Sequence, residues 1–104
     1  MALDNTAWAD HRASVRDEVH YRARALGPDA QHLSLLIVNI SAQGLMARYD
    51  GAMAVGARLQ ITLPVVGVVA AAVRWSLGGR IGCELDAAVP LAQYYALLAA
   101  LEHR

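Results

Sequence analysis

The 104-residue chain contains no lysine, no phenylalanine and a single cysteine. One cysteine allows no internal disulfide, and Cys83 by itself makes no thiolate zinc site. With lysine absent, the nine basic residues are all arginine and are balanced by nine acids, a formal net charge of zero. Chains that hold long nucleic acids by their phosphates carry a net positive face built from both Lys and Arg, so DNA or RNA tracking is disfavoured. Arginine alone suits planar, bidentate recognition, although a coding bias produces the same usage. Only 17% of residues are charged and 57% are hydrophobic, which excludes disorder for most of the chain. Aromatics are scarce at 6%, so a core must come from Ala, Val and Leu. The longest uncharged runs, Leu59–Val73 and Ala87–Leu101, are each broken by proline and too short to span a bilayer. No charged segment followed by an apolar stretch opens the chain, so a soluble, cytoplasmic protein is expected.

What remains is strand-like. Val19, Tyr21, Ala23 and Ala25 alternate with His20, Arg22 and Arg24, the period of a half-buried strand. Gly27-Pro28-Asp29 ends it. Leu33–Ile40 is a continuous apolar run that reads as a strand buried on both sides or at a seam. Leu45–Tyr49, Arg58–Leu63, Val68–Leu77 and Arg80–Leu85 follow at short spacing, the last two joined by Gly78-Gly79, a two-residue hairpin signal. Beyond Asp86 the period becomes helical, with Pro90 in a first turn and Leu91, Tyr94, Leu98 and Leu101 on one face. The expected fold is mainly β: a six-stranded antiparallel barrel with a C-terminal α-helix, preceded by an arm over residues 1–16.

No catalytic set is visible. The serines lack a nucleophile-elbow context, the carboxylates lack paired spacing, and the histidines at 11, 20, 32 and 103 lack metal-ligand spacing. Cys83 lies in an apolar strand pattern and reads as a small core residue. No cofactor or metal is expected. Two motifs stand out. Arg12-Ala13-Ser14-Val15-Arg16 is an RxxxR pair before the first strand, and by itself reads as a solvated pair on an arm. Asn39-Ile40-Ser41-Ala42-Gln43-Gly44 sits at a strand-to-strand turn, where Asn and Ser bond the local backbone and Gly44 supplies a positive φ.

In this order and spacing the two motifs resemble the ligand-binding motifs of the PilZ domain family. The resemblance continues through Val55-Gly56-Ala57-Arg58-Leu59, Leu63-Pro64, Ala72-Val73-Arg74-Trp75 and Arg80-Ile81-Gly82-Cys83-Glu84-Leu85. It covers about residues 12–86, and Leu85 stands where many relatives have Phe. The resemblance implies a PilZ-type barrel over residues 17–104 that binds the bacterial second messenger cyclic di-GMP. It implies that Arg12 and Arg16 clasp guanines and phosphates. It further implies that Asn39 and Ser41 bond the ligand from the barrel, and that Gly44 permits the turn. Arginine meets the guanine O6 and N7 acceptors and the phosphates in bidentate fashion, which is consistent with those roles.

With no catalytic set, output is expected to pass through a protein partner or a homo-oligomer. The alternative is a PilZ-fold interaction adaptor that binds no nucleotide. Residues 1–16 carry too little apolar surface to offset the ordering of their backbone, so ligand is expected to draw the arm onto the barrel. Arg22, Arg24, Arg48, Arg74 and Arg80 read mostly as solvated strand positions, with Arg48 and Arg74 weighted slightly toward the ligand. Tyr94-Tyr95 reads as helix packing.

Overall fold

The computed structural model describes residues 15–102. Six strands, β1 (Asp17–Leu26), β2 (His32–Ile40), β3 (Gly44–Arg48), β4 (Arg58–Leu63), β5 (Gly67–Leu77) and β6 (Arg80–Leu85), precede one helix, α1 (Leu91–Glu102). They close into an antiparallel barrel in the order β1-β2-β3-β6-β5-β4, with β4 pairing back onto β1. The closing seam is short, pairing Ala25 and Leu26 of β1 with Ile61 and Gln60 of β4. The barrel and its C-terminal helix are as the sequence pattern predicts. Arg12 and the rest of residues 1–14 lie outside the described residues, and so does the expectation about the arm.

Alternation builds the interior. Leu59, Ile61 and Leu63 of β4 are buried while Arg58, Gln60 and Thr62 face outward. In β2, however, the expected two-sided burial does not occur. Leu33, Leu35 and Ile37 point inward, Ser34 is exposed and Leu36 is half-buried. A register shift against β3 between Ile37 and Asn39 then resets the parity, so that Ile37 and Ile40 are both fully buried. A bulge inserts one residue into the alternation, which an apolar run in sequence cannot reveal. The shift leaves Asn39 half-buried on the outer face.

The β5–β6 hairpin follows its glycines. Gly78 and Gly79 take φ of 63° and 78°, the mirror-turn conformation that matches strand twist, and Leu77 pairs with Arg80. In α1 the buried face is Tyr94, Leu97 and Leu101. Leu91, expected on that face, is 53% exposed, and Leu98 is only half-buried. The helix packs chiefly on β1, and a polar anchor at Tyr94 sets its rotation. Leu97 and Leu101 join the barrel core together with Val89. Among the described residues no helix is long and apolar enough to cross a membrane.

Candidate functional site

The turn from β2 to β3 is built around a buried serine. Ser41 is 3% exposed. Its Oγ accepts from the backbone N–H of Gln43 and of Gly44, each at 3.2 Å, and donates to the Gly44 carbonyl at 3.4 Å. The Ser41 N–H donates to the same carbonyl at 2.8 Å. Outside the turn, the Gln43 carbonyl accepts from Leu85 N–H at 2.9 Å and the Ala42 carbonyl from Val89 N–H at 2.8 Å. Nearly every backbone polar group of the turn is therefore held, which makes it a rigid platform.

Gly44 is required for a different reason than positive φ, which it does not adopt. It pairs with Glu84, and a Cβ there would lie 2.4 Å from the Cys83 carbonyl oxygen. Close approach of β3 to β6 excludes any side chain at this position.

Strand register lines up the rest of the site. Asn39 stands opposite Met46, Met46 opposite Gly82, and Gly82 opposite Trp75. Arg16, just before β1, donates from Nη1 to Asn39 Oδ1 at 3.0 Å, and Asn39 Nδ2 donates to Met46 Sδ at 3.7 Å. The Trp75 indole lies over Gly82, where a Cβ would come within 2.0 Å of Nε1. The indole is nevertheless 40% exposed. Arg74 Nε donates to Glu84 Oε1 at 2.7 Å across the β5–β6 pair, with both groups exposed. Together Arg16, Ser41, Gly44, Arg74, Trp75 and Glu84 line a cleft of about 360 Å³. That is within the range of small-molecule sites.

The cleft combines a planar cation, an amide beside it and an exposed indole face, which suits a flat, hydrogen-bonding, anionic ligand. Cys83 also borders it, but burial pushes its thiol pKa up to about 11, so it stays protonated and weakly nucleophilic. Among the described residues, no cluster of His, Cys, Asp and Glu could hold a metal ion.

The fold thus brings Arg16, Asn39, Ser41 and Gly44 to one place, while Arg12 lies outside the described residues. Arg74 lines the cleft; Arg48 does not, and faces outward beside Arg22. Trp75 and Glu84 also line the cleft, and neither belongs to the two sequence motifs. A signal for Trp75 existed: a two-residue Gly78-Gly79 turn sets Leu77 against Arg80 and so places Trp75 opposite Gly82.

The cleft is joined to α1. The Tyr94 hydroxyl donates to Asp17 Oδ2 at 2.6 Å and to the Ile40 carbonyl at 3.0 Å. Asp17 follows Arg16, and Ile40 precedes Ser41, so both anchors adjoin cleft residues.

A closed antiparallel barrel carrying an arginine- and indole-lined surface cleft defines a small ligand-binding domain. The PilZ domain profile matches residues 10–101, and the chain belongs to the PilZ domain family, a family of cyclic di-GMP receptors that are binding domains rather than enzymes. Solved structures similar to it include the crystal structure of the PilZ domain of CeSA from a cellulose-synthesizing bacterium. That domain is 12% identical, with a TM-score of 0.61, over 85% of this chain and 95% of its own. Identity this low speaks to the fold alone. A search of curated proteins finds no match.

Proposed function

We propose that this chain is a bacterial, cytoplasmic receptor for cyclic di-GMP that acts through a protein partner. The observation carrying this reading is the 3.0 Å contact from Arg16 to Asn39, which joins the two sequence motifs at the mouth of one cleft. In this reading Arg16, with Arg12, supplies guanidinium forks to the guanine N7 and O6 acceptors and to the phosphates. Asn39 orients Arg16 and offers its amide to the ligand. Trp75 presents an indole face on which a base can stack. Ser41 and Gly44 serve chiefly by shaping the turn, because the Ser41 hydroxyl is already engaged by the backbone. Binding requires no cofactor.

Calorimetry on the purified chain tests the proposal. Cyclic di-GMP should bind, and cyclic di-AMP should bind far more weakly, because adenine presents a donor where guanine presents O6. Arg16→Ala should lower affinity by roughly 5- to 150-fold, since a bidentate guanine contact is worth about 1–3 kcal/mol. The fold should be retained, because exposed substitutions usually stay within about 0.5 kcal/mol. Absence of binding would return the chain to the adaptor reading, and equal affinity for both dinucleotides would remove the arginine role.

A further inference from the structure

Outside the cleft, four exposed arginines face outward: Arg22 and Arg24 on β1, Arg48 on β3 and Arg80 on β6. Among the described residues the ion pairs are Arg58–Asp86 and Arg74–Glu84, and none of these four takes part in one. Their other contacts are weak: Arg22 Nη1 reaches Ser34 Oγ at 3.4 Å and Arg80 Nη1 reaches Met46 Sδ at 4.0 Å. Register makes three of them a row. Arg22 is opposite Leu36, Leu36 opposite Arg48, Arg48 opposite Arg80, and Arg80 opposite Leu77. At the ordinary strand spacing Arg22 and Arg48 stand about 10 Å apart, flanking Leu36. Arg48 and Arg80 oppose each other directly, which destabilises a sheet until an anion is shared between them. A polar cleft of about 260 Å³ opens between Arg22 and Arg48. Its one carboxylate, Asp50, pairs with neither.

We propose that this row docks an acidic, extended segment of a partner protein. Its carboxylates meet Arg22, Arg48 and Arg80, and its apolar side chains cover Leu36 and Leu77, the latter 78% exposed. The guanidinium fork matches a carboxylate. Apolar positions interspersed among the arginines of the row fit a peptide better than a phosphate backbone, which has no aliphatic group to place on Leu36 or Leu77. The chain's zero net charge likewise gives no long-range pull toward a polyanion or a membrane. Met46 bonds both Asn39 at the ligand cleft and Arg80 in the row, so the two surfaces are contiguous. The row is the seat of the receptor's partner, and only the existence of that partner rests on the receptor reading.

The test uses the full chain and a short fluorescein-labelled peptide carrying Glu, Val, Glu, Glu and Val at every second position with Ser between them, so that all five face one side when extended, followed by anisotropy with and without cyclic di-GMP. The acidic peptide should bind, its Gln-for-Glu counterpart should not, and binding should weaken as salt rises through the physiological range. Arg48→Glu with Arg80→Glu should lower peptide affinity at least roughly tenfold, because rim and surface charges set such encounters. The milder Arg48→Gln and Arg80→Gln pair removes like-charge opposition, keeps the fold, and should also reduce binding. Cyclic di-GMP affinity should be unchanged in both variants. Peptide binding indifferent to these substitutions would overturn the proposal. So would tighter capture, through the same arginines, of single-stranded DNA or of phosphatidylserine-containing vesicles. Loss of cyclic di-GMP binding in the variants would also overturn it, by making the row part of the ligand site. If the unaltered chain takes no cyclic di-GMP, the receptor reading fails while the peptide arm still decides the row.

Discussion

Removing the Tyr94 hydroxyl should weaken the join between α1 and the barrel without disturbing its packing. The hydroxyl has one proton and two acceptors, Asp17 Oδ2 at 2.6 Å and the Ile40 carbonyl at 3.0 Å. Hydrogen bonds to a charged group contribute about 1.5–3 kcal/mol, and Phe preserves the buried ring. Tyr94→Phe should therefore cost about 2 kcal/mol, which for a domain of this size lowers Tm by roughly 10 °C. Asp17→Asn keeps an acceptor and should cost less, while Tyr94→Phe combined with Asp17→Ala should cost less than the two changes added. Urea unfolding at several pH values measures all of this. Burial first, then the hydrogen bond to Asp17 and the nearby carboxylates of Asp17 and Glu102, push the Tyr94 pKa well above its ordinary 10.0. A folded-state value above the unfolded one means that this stabilisation is complete below about pH 10 and declines as pH rises toward the folded value. Tyr94→Phe should lack that decline. A loss under about 0.5 kcal/mol, or strict additivity with Asp17→Ala, would refute the anchor.

Gly44→Ala should cost about 2 kcal/mol or more, since its Cβ meets the Cys83 carbonyl at 2.4 Å, and amide exchange should quicken along β3 and β6. Gly82→Ala should leave the barrel folded but swing the Trp75 indole off its seat. In a Trp8→Phe background this appears as a shift in tryptophan emission, and an unchanged spectrum would contradict the stacking of Trp75 on Gly82. Val65 is a β-branched residue at φ 70° in the turn between β4 and β5. Val65→Gly should raise stability by about 1 kcal/mol, the left-handed strain less the added backbone freedom, as thermal unfolding would show.

The strands, their order along the chain and the helix were legible because each rests on local periodicity and turn chemistry. Period-two alternation at 58–63 and the glycine pair at 78–79 act over a few residues, and nothing remote alters them. The two motifs, at 12–16 and 39–44, are also visible as residue types at a spacing. What alternation could not show is parity across a bulge: the shift between Ile37 and Asn39 determines that Asn39 looks outward toward Arg16. Nor could the sequence show why Gly44 is glycine. A turn seen alone invites a positive φ, whereas the actual constraint is the Cys83 carbonyl on a strand some forty residues away. In α1 the helical period selects Tyr94, Leu98 and Leu101, which pack on the core, but it also selects the exposed Leu91 and passes over the fully buried Leu97, because the core the helix meets is built by the barrel. The outward arginines read singly as solvated, and only pairing through Leu36 and Leu77 made Arg22, Arg48 and Arg80 a row. Sequence by itself determined which segments become strands, turns and helix, because those preferences are short-ranged. Tertiary structure alone decided which side chains meet, because register, bulges and close backbone approach depend on strands distant in the chain.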